Sequence, residues 1–286
     1  MIERARKFVW LHARALEQRR FALLFDGGPA EPVVNAVLAH RNDDGGFGHA
    51  LEPDGRGPAS QPLHVHTALS LLDEAGDRSH GSAACDFLAT ITNDDGGVPN
   101  SLASDGPSAP WWVADPASDL LMTGLLAGTL HKIGAVHPWL DAATAFCWER
   151  VESLEKSHPY EVNGCLRFLD HVPDRPRAER AAEKLGELVR AQGLVELGSG
   201  AVHEGYAAGE VHKPHDYAPT PDSLAARWFT AEELTRDLDA LAAKQQDDGG
   251  WTFPWPVWTP ATEHEWRPIV TIEALLALRA HGRLDG

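Results

Sequence analysis

Cysteine is scarce in this chain of 286 residues, and the three present, Cys85, Cys147 and Cys165, are an odd number without the short spacings of a metal-binding pair. That pattern fits neither a disulfide framework nor a thiolate metal site, and a reducing cytoplasm is the expected compartment. Basic residues are outnumbered, 25 against 42 acidic ones, for a net charge of −17. A nucleic-acid surface needs clustered Lys and Arg, so that class of partner is excluded. No apolar run is long enough to span a bilayer, which excludes a transmembrane segment, and residues 1–10 lack the apolar core and cleavage site of a signal peptide. A basic amphipathic start can lie on a membrane, but here it reads as the first helix of the fold. No strand-like run, low-complexity linker or Gly-x-x-x-x-Gly-Lys phosphate cradle is found either.

What is present is helix after helix. Apolar periodicity predicts helices over roughly 2–25, 31–41, 61–75, 79–92, 116–133, 137–152, 174–192, 230–246 and 266–281, with weaker ones over 160–170 and 221–229. Prolines at 32, 62, 116 and 138 mark starts, and glycines at 76, 134, 193 and 282 mark ends. The helices are of two kinds. Amphipathic ones precede a recurrent string, whereas those around Leu120–Leu126 and Ile272–Leu278 are apolar on most sides.

The string is Asp-Asp-Gly-Gly, at 43–46, 94–97 and 247–250; its starts lie 51 and then 153 residues apart, the second interval three times the first. A period near 50 is the mark of one structural unit used repeatedly. The period places degraded copies near 145 and 196, with Glu196-Leu197-Gly198-Ser199-Gly200 as a remnant. Paired glycines allow a sharp reversal after a helix, and the residue that follows (Phe47, Val98 or Trp251) is expected to plug the gap between neighbouring hairpins. Because the acidic pair is repeated with the turn, it reads as a structural element rather than as acid/base machinery. An outer ring of amphipathic helices around an inner ring of apolar ones satisfies both patterns. The expected fold is all-α: a single α/α toroid of about six helical hairpins over residues 1–286, with a central cavity.

Gln245-Gln246-Asp247-Asp248-Gly249-Gly250-Trp251 is similar to the Gln-x-x-x-Gly-x-Trp repeat of the squalene-hopene and oxidosqualene cyclases, and Arg41-Asn42-Asp43-Asp44-Gly45-Gly46-Phe47 is a weaker copy. The sequence Gly-Gly, an apolar residue, a polar loop and an apolar helix also resembles the repeats of protein prenyltransferase β subunits. The resemblance is strongest over 30–100 and 230–282 and implies the α/α toroid of that superfamily. It does not extend to the catalytic motifs. The Asp-x-Asp-Asp acid of triterpene cyclases, the Asp-Asp-x-x-Asp of terpene synthases, the Asp-x-Cys zinc ligands of prenyltransferases and the Cys-Gly-Glu-Gln of thioester domains are all missing.

In such a toroid the loops after the Gly-Gly turns gather over the mouth of the cavity, and the unusual polar residues fall in them. The first loop carries His49, Glu52, Asp54 and Arg56, followed by His64 and His66 at the next helix start. The second carries Asp105, Trp111, Trp112, Asp115 and Asp119. A later loop holds His203, Glu204, Gly205 and Tyr206, then His212, Lys213, Pro214, His215, Asp216 and Tyr217; the last holds Trp255, Trp258, Glu263, His264 and Glu265. Fifteen histidines exceed what packing alone requires.

Two chemistries follow. In one, Asp54, His49, Glu52, Asp216, Tyr217 and His264 supply acids and bases, since imidazole titrates near neutrality and buried carboxyls can be shifted towards it. Trp112, Trp255 and Trp258, with His64 and His66, would then line a cavity whose π faces favour a cationic intermediate. His64 and His66, two positions apart on a helix, cannot both face one centre. In the other, His212, His215 and Asp216 hold a divalent metal, zinc or iron, with a bound water as reactive species; the run contains Pro214 and is expected to be non-helical. Tyr217 is an acid or a loop anchor. The leading expectation is an enzyme that cyclises, isomerises or eliminates on a small or medium hydrophobic, terpenoid-like molecule, with no cofactor required. A metal-dependent enzyme and a non-catalytic binding module are the alternatives, and neither the substrate nor the oligomeric state can be read from the sequence.

Overall fold

The computed structural model describes residues 1–104, 106–198, 203, 204, 206, 207 and 209–284. Asp105, Ser199, Gly200 and Gly205, singled out from the sequence, lie outside them. The fold is all-α; among the described residues there is no strand and no helix long and apolar enough to cross a membrane. Internal contacts divide the chain into two compact units, residues 30–185 and a discontinuous one built from 1–29 and 186–286.

The continuous unit holds α3 (Glu31–Leu38), α4 (Pro62–Glu74), α5 (Gly81–Thr90), α6 (Leu120–Lys132), α7 (Pro138–Glu152), α8 (Pro159–His171) and the start of α9 (Arg175–Ala191). Helices α4, α6 and α8 pack side by side, while α5 and α7 contact each other and cover one side of that row. Helix α6 is buried almost all round, as its apolar sequence requires. Its approach to α8 is backbone on backbone: a Cβ on Gly128 would stand 2.1 Å from the Arg167 carbonyl oxygen, and one on Gly164 would stand 2.5 Å from that of Leu121.

The discontinuous unit holds α1 (Ile2–His12), α2 (Ala15–Phe25), the end of α9, the single turn α10 (Pro214–Tyr217), a 3-10 turn (Leu224–Trp228), α11 (Ala231–Ala243) and α12 (Pro260–Ala280). Phe8, Phe21, Leu238, Trp251, Leu275 and Leu278 form its core. Each such side chain is worth about 1.5–3 kcal/mol when fully buried, and this is what draws the N-terminal pair onto the C-terminal helices.

Several boundaries differ from those read in the sequence. The predicted helix over 2–25 breaks at Ala13 and Arg14, which are extended; Gln18 Nε2 donates to the Ala13 carbonyl (3.1 Å), satisfying an acceptor that the break leaves over. Helix α12 starts at Pro260 rather than 266, with Thr259 accepting from the Thr262 N–H, and it carries Pro268 inside it. The run through Pro214 is helical for one turn, because proline suits a first helical position and Asp216 accepts from the Lys213 N–H (2.7 Å). Position 145, where the period placed a degraded turn, lies inside α7.

The repeat is a side-chain-locked turn. In the first copy Asp44 Oδ1 accepts from the Gly46 N–H and the Ser60 hydroxyl, both at 2.8 Å. Asn42 Nδ2 donates to the Pro58 carbonyl and to Ser60 Oγ, both at 2.9 Å. In the second copy Asp95 accepts from Gly97 N (3.1 Å) and Ser118 Oγ (2.5 Å), and Asn93 donates to the Pro116 carbonyl (2.9 Å) and Ser118 Oγ (3.0 Å). In the third, Asp248 accepts from Gly250 N (3.0 Å) and from both terminal nitrogens of Arg267 (2.8 and 2.9 Å). The second aspartate of each pair is therefore the structural one.

The first glycine of each pair has a left-handed φ (+88° at Gly45, +87° at Gly96, +98° at Gly249) and abuts helical backbone. A Cβ there would fall 2.4 Å from the Ala83 carbonyl oxygen of α5, 2.7 Å from that of Ala142 of α7 and 2.2 Å from that of Arg4 of α1, respectively. The plugs Phe47, Val98 and Trp251 are buried as expected.

Candidate active site

The turn at Gly45–Gly46 launches a loop that ends at Gln61, whose N–H donates to the Phe47 carbonyl (2.9 Å). The turn at Gly96–Gly97 launches a second, closed by Asp119 N donating to the Val98 carbonyl (2.9 Å). Backbone hydrogen bonds lace the two loops together, Arg56 N to Pro107 O at 2.9 Å and Ala109 N to Asp54 O at 2.8 Å. Gln61 adds a side-chain pair to the Leu102 backbone, accepting at 2.8 Å and donating at 3.1 Å.

Between them lies a cavity of about 210 Å³, walled by Trp112, His64, Gln61, Gly55, Leu102 and Ser104 among others. His64, in the first turn of α4, is fully buried, and its ring lies 5.6 Å from that of Trp112, tilted by 49°. Gly55 sits between them: a Cβ there would meet Trp112 at 2.4 Å and His64 Nε2 at 2.8 Å, so only glycine fits. Behind it Glu52 and Asp54 are both buried. Glu52 Oε2 accepts from the Asp54 and Gly55 N–H groups (3.0 and 3.2 Å), which shapes the loop around the cavity.

The structure thus brings Glu52, Asp54, His64 and Trp112 into one neighbourhood and leaves His49 and His66 outside it. His49 is exposed and left-handed (φ +56°, with Ala50 at +58°), and its Nε2 bonds Asn42 Oδ1 (2.9 Å), so its ring props the turn. His66 lies along α4, its Nδ1 3.0 Å from Thr129 Oγ1 of α6. Desolvation there, helped by the Arg167 charge, pushes its pKa down to about 3. Asp119 caps α6 by accepting from Met122 N (2.7 Å), and burial raises its pKa. Asp115 accepts from Ala117 N (2.9 Å).

In the discontinuous unit, His212 stacks between Tyr206 (5.7 Å) and Tyr217 (5.5 Å) and bonds the Tyr206 hydroxyl through Nδ1. Tyr217 is the loop anchor: it is buried and donates to the Leu194 carbonyl (2.7 Å). His215 turns elsewhere, its N–H and Nδ1 both on Asp237 Oδ2 (2.7 and 2.8 Å), with Asp216 3.5 Å from Nε2. Burial opposes a charge on that imidazole, but Asp216 and Asp237 outweigh it and its pKa is raised. The expected ligand trio of His212, His215 and Asp216 is therefore divided between two sets of partners. Among the described residues no three His, Cys, Asp or Glu side chains group as a metal site.

Trp255 stacks on Phe253 (4.8 Å) and meets Trp266 edge-on (5.0 Å), and Trp258 is part-buried. Glu263, His264 and Glu265 belong to α12 and not to a loop, and His264 is exposed. Many of the histidines serve the backbone. His137 and His158 cap α7 and α8, while His40, His203 and His281 bond main-chain carbonyls.

Sequence reasoning missed Asp237, on α11. Its one signal is position: it shares the apolar stripe of Leu234, Leu238 and Leu241, where an aspartate is out of place. No family model matches this chain, and no curated protein matches it.

Proposed function

We propose that the chain is an enzyme that acts on a small hydrophobic molecule by acid/base isomerisation, cyclisation or elimination, in the cytoplasm and on an α/α toroid scaffold. The scaffold reading is supported by the repeat register: Gly249 abuts α1 at Arg4 just as Gly45 abuts α5 at Ala83 and Gly96 abuts α7 at Ala142. The chemistry rests on one observation above all, the fully buried His64 lining a cavity beside the ring of Trp112. A buried imidazole beside an aromatic wall can exchange a proton with a ligand, while the wall binds the ligand's apolar part and favours developing positive charge. Glu52 and Asp54, buried in the adjoining loop, are the carboxylates available to it. At about 210 Å³ the cavity is smaller than the roughly 300–1,000 Å³ of sites for drug-sized ligands, which narrows the substrate to a small molecule.

The test uses cyclohexanone and its alkyl derivatives as probes, with binding followed by ligand-observed NMR and α-proton exchange followed in D2O. Binding that Trp112→Ala abolishes, together with exchange that His64→Gln abolishes, is the expected result. Binding without exchange would make the chain a binding module, and no binding by the wild-type protein would remove the site.

A further inference from the structure

Along the row of α4, α6 and α8, α7 packs on α6 and α8 from one side, with Trp148 of α7 edge-on to Phe168 of α8 at 5.0 Å. On α8, Asn163 and Arg167 fall on the opposite face from Cys165 and Phe168 and are half-buried. On α6, Leu121 and Leu125, one turn apart, are half-buried too, whereas most of their neighbours are buried.

Arg167 does not run out from this face. Its Nε donates to Thr129 Oγ1 of α6 at 3.0 Å, and Thr129 is itself held by His66 Nδ1 of α4 at 3.0 Å. Gly128, next to Thr129 in the chain, is the residue whose missing Cβ lets the Arg167 backbone approach α6. Among the described residues neither terminal nitrogen of Arg167 has a hydrogen-bond or ion-pair partner. Asp73, Asp170 and Glu74 act on it only through longer-range attraction. Other guanidinium groups in the same unit are matched, as Arg177 is by Glu152 (2.7 Å) and Arg78 by Asp73 (2.7 Å). The free edge is the flat fork formed by the two terminal nitrogens, which matches a carboxylate bidentately. Partial burial makes leaving it empty costly, and desolvation already lowers the Arg167 pKa. His66 stays neutral above about pH 3, so the group presents a single positive charge. With three carboxylates in electrostatic range, a polyanion is disfavoured.

We propose that Arg167 is the receptor for the carboxylate of an amphiphilic monocarboxylic acid, held in place by Thr129 and His66 as positioning residues, with the acid's apolar body on Leu121 and Leu125. This site is separate from the His64 cavity and stands or falls independently of it.

Octanoate and octanol, of equal chain length, separate charge recognition from simple apolar binding. Titration calorimetry on the whole protein, with octanoate kept monomeric, should show octanoate binding at least about tenfold tighter than octanol. Arg167→Gln should weaken octanoate about 10- to 100-fold, the worth of a charged hydrogen-bonded pair, and leave octanol unchanged. Thr129→Val should weaken it several-fold by freeing the guanidinium, and octanoate should shift the His66 ring resonances. Arg167→Lys, which keeps the charge but loses the fork, should fall between and covers the case in which the glutamine variant does not fold. Equal affinity for octanoate and octanol, or undiminished octanoate binding in a folded Arg167→Gln protein, would overturn the proposal. So would displacement of octanoate by an equal concentration of inorganic phosphate.

Discussion

Alanine at Gly45 and alanine at Gly76 should differ sharply in cost, although the two glycines share a unit and a backbone conformation, with φ +88° and +79°. Forcing a residue with a Cβ into the left-handed region costs about 1–2 kcal/mol. At Gly76 that is the whole effect, because a Cβ there meets nothing within 4 Å. At Gly45 the Cβ falls 2.4 Å from the Ala83 carbonyl oxygen, which belongs to helical backbone and cannot rotate aside as a flexible side chain could. Helix α5 must shift, and overpacking of this kind adds about 1–3 kcal/mol. Gly96→Ala, at 2.7 Å from the Ala142 carbonyl oxygen, should follow the same course with a smaller addition. Thermal unfolding followed by helical circular dichroism reads the difference, at about 2–4 °C per kcal/mol for a unit of this size. Gly76→Ala should lower Tm by about 2–8 °C, and Gly45→Ala by about 4–20 °C, with the Gly45 variant always the lower of the two. Equal Tm values for the two variants would refute the account of the repeat as a turn docked on the backbone of a neighbouring helix.

The acidic pairs give a second contrast. Asp44→Ala and Asp95→Ala remove acceptors for a backbone N–H and a serine hydroxyl and should each cost about 1 kcal/mol, whereas Asp43→Ala and Asp94→Ala should stay within about 0.5 kcal/mol of wild type in urea unfolding. Two histidines should move stability with pH in opposite directions. His215 has a raised pKa in the folded chain, so its contribution is full below the unfolded value of 6.5 and is lost as pH rises through the folded value; Asp237→Asn should flatten that dependence. His66, lowered to about 3, contributes fully above 6.5 and loses that contribution as pH falls from 6.5 towards 3. Ring-proton NMR titration of each histidine, set beside unfolding midpoints across pH, checks both signs.

The helices were legible wherever local signals agreed: proline at the first turn, glycine after the last, and an apolar stripe between. They were misread where one local signal masked another. Pro268 hid the first turns of α12, and nothing local marks the break at Ala13 and Arg14, whose carbonyl is satisfied by Gln18. The repeat string announced the turn and its plug, but the serine that the first two turns use lies 16 or 23 residues beyond its aspartate, and the arginine of the third 19 beyond, out of reach of any local pattern. In the candidate site, loop membership pointed to Glu52, Asp54, His64 and Trp112. What it could not supply were pairings between distant elements: Gln61 with Leu102, His215 with Asp237, Arg167 with Thr129. The excess of histidine misled for the same reason, since a ring that caps a helix and a ring that moves a proton look alike in sequence.

The Asn–Asp–Ser lock joins the two ends of a loop to each other as well as to the helices. In the first copy it encloses residues 47–59 and in the second residues 98–117, with the same bonds at the rim. The frame therefore specifies how each loop departs and returns, while the bonds that lace the two loops fix what lies between, so the pair behaves as one unit. Variation, whether by natural divergence or by grafting, must rewrite the two together if the hydrogen bonds between them are to survive. The two loops are thus a single insert set into a helical frame, to be exchanged as a pair.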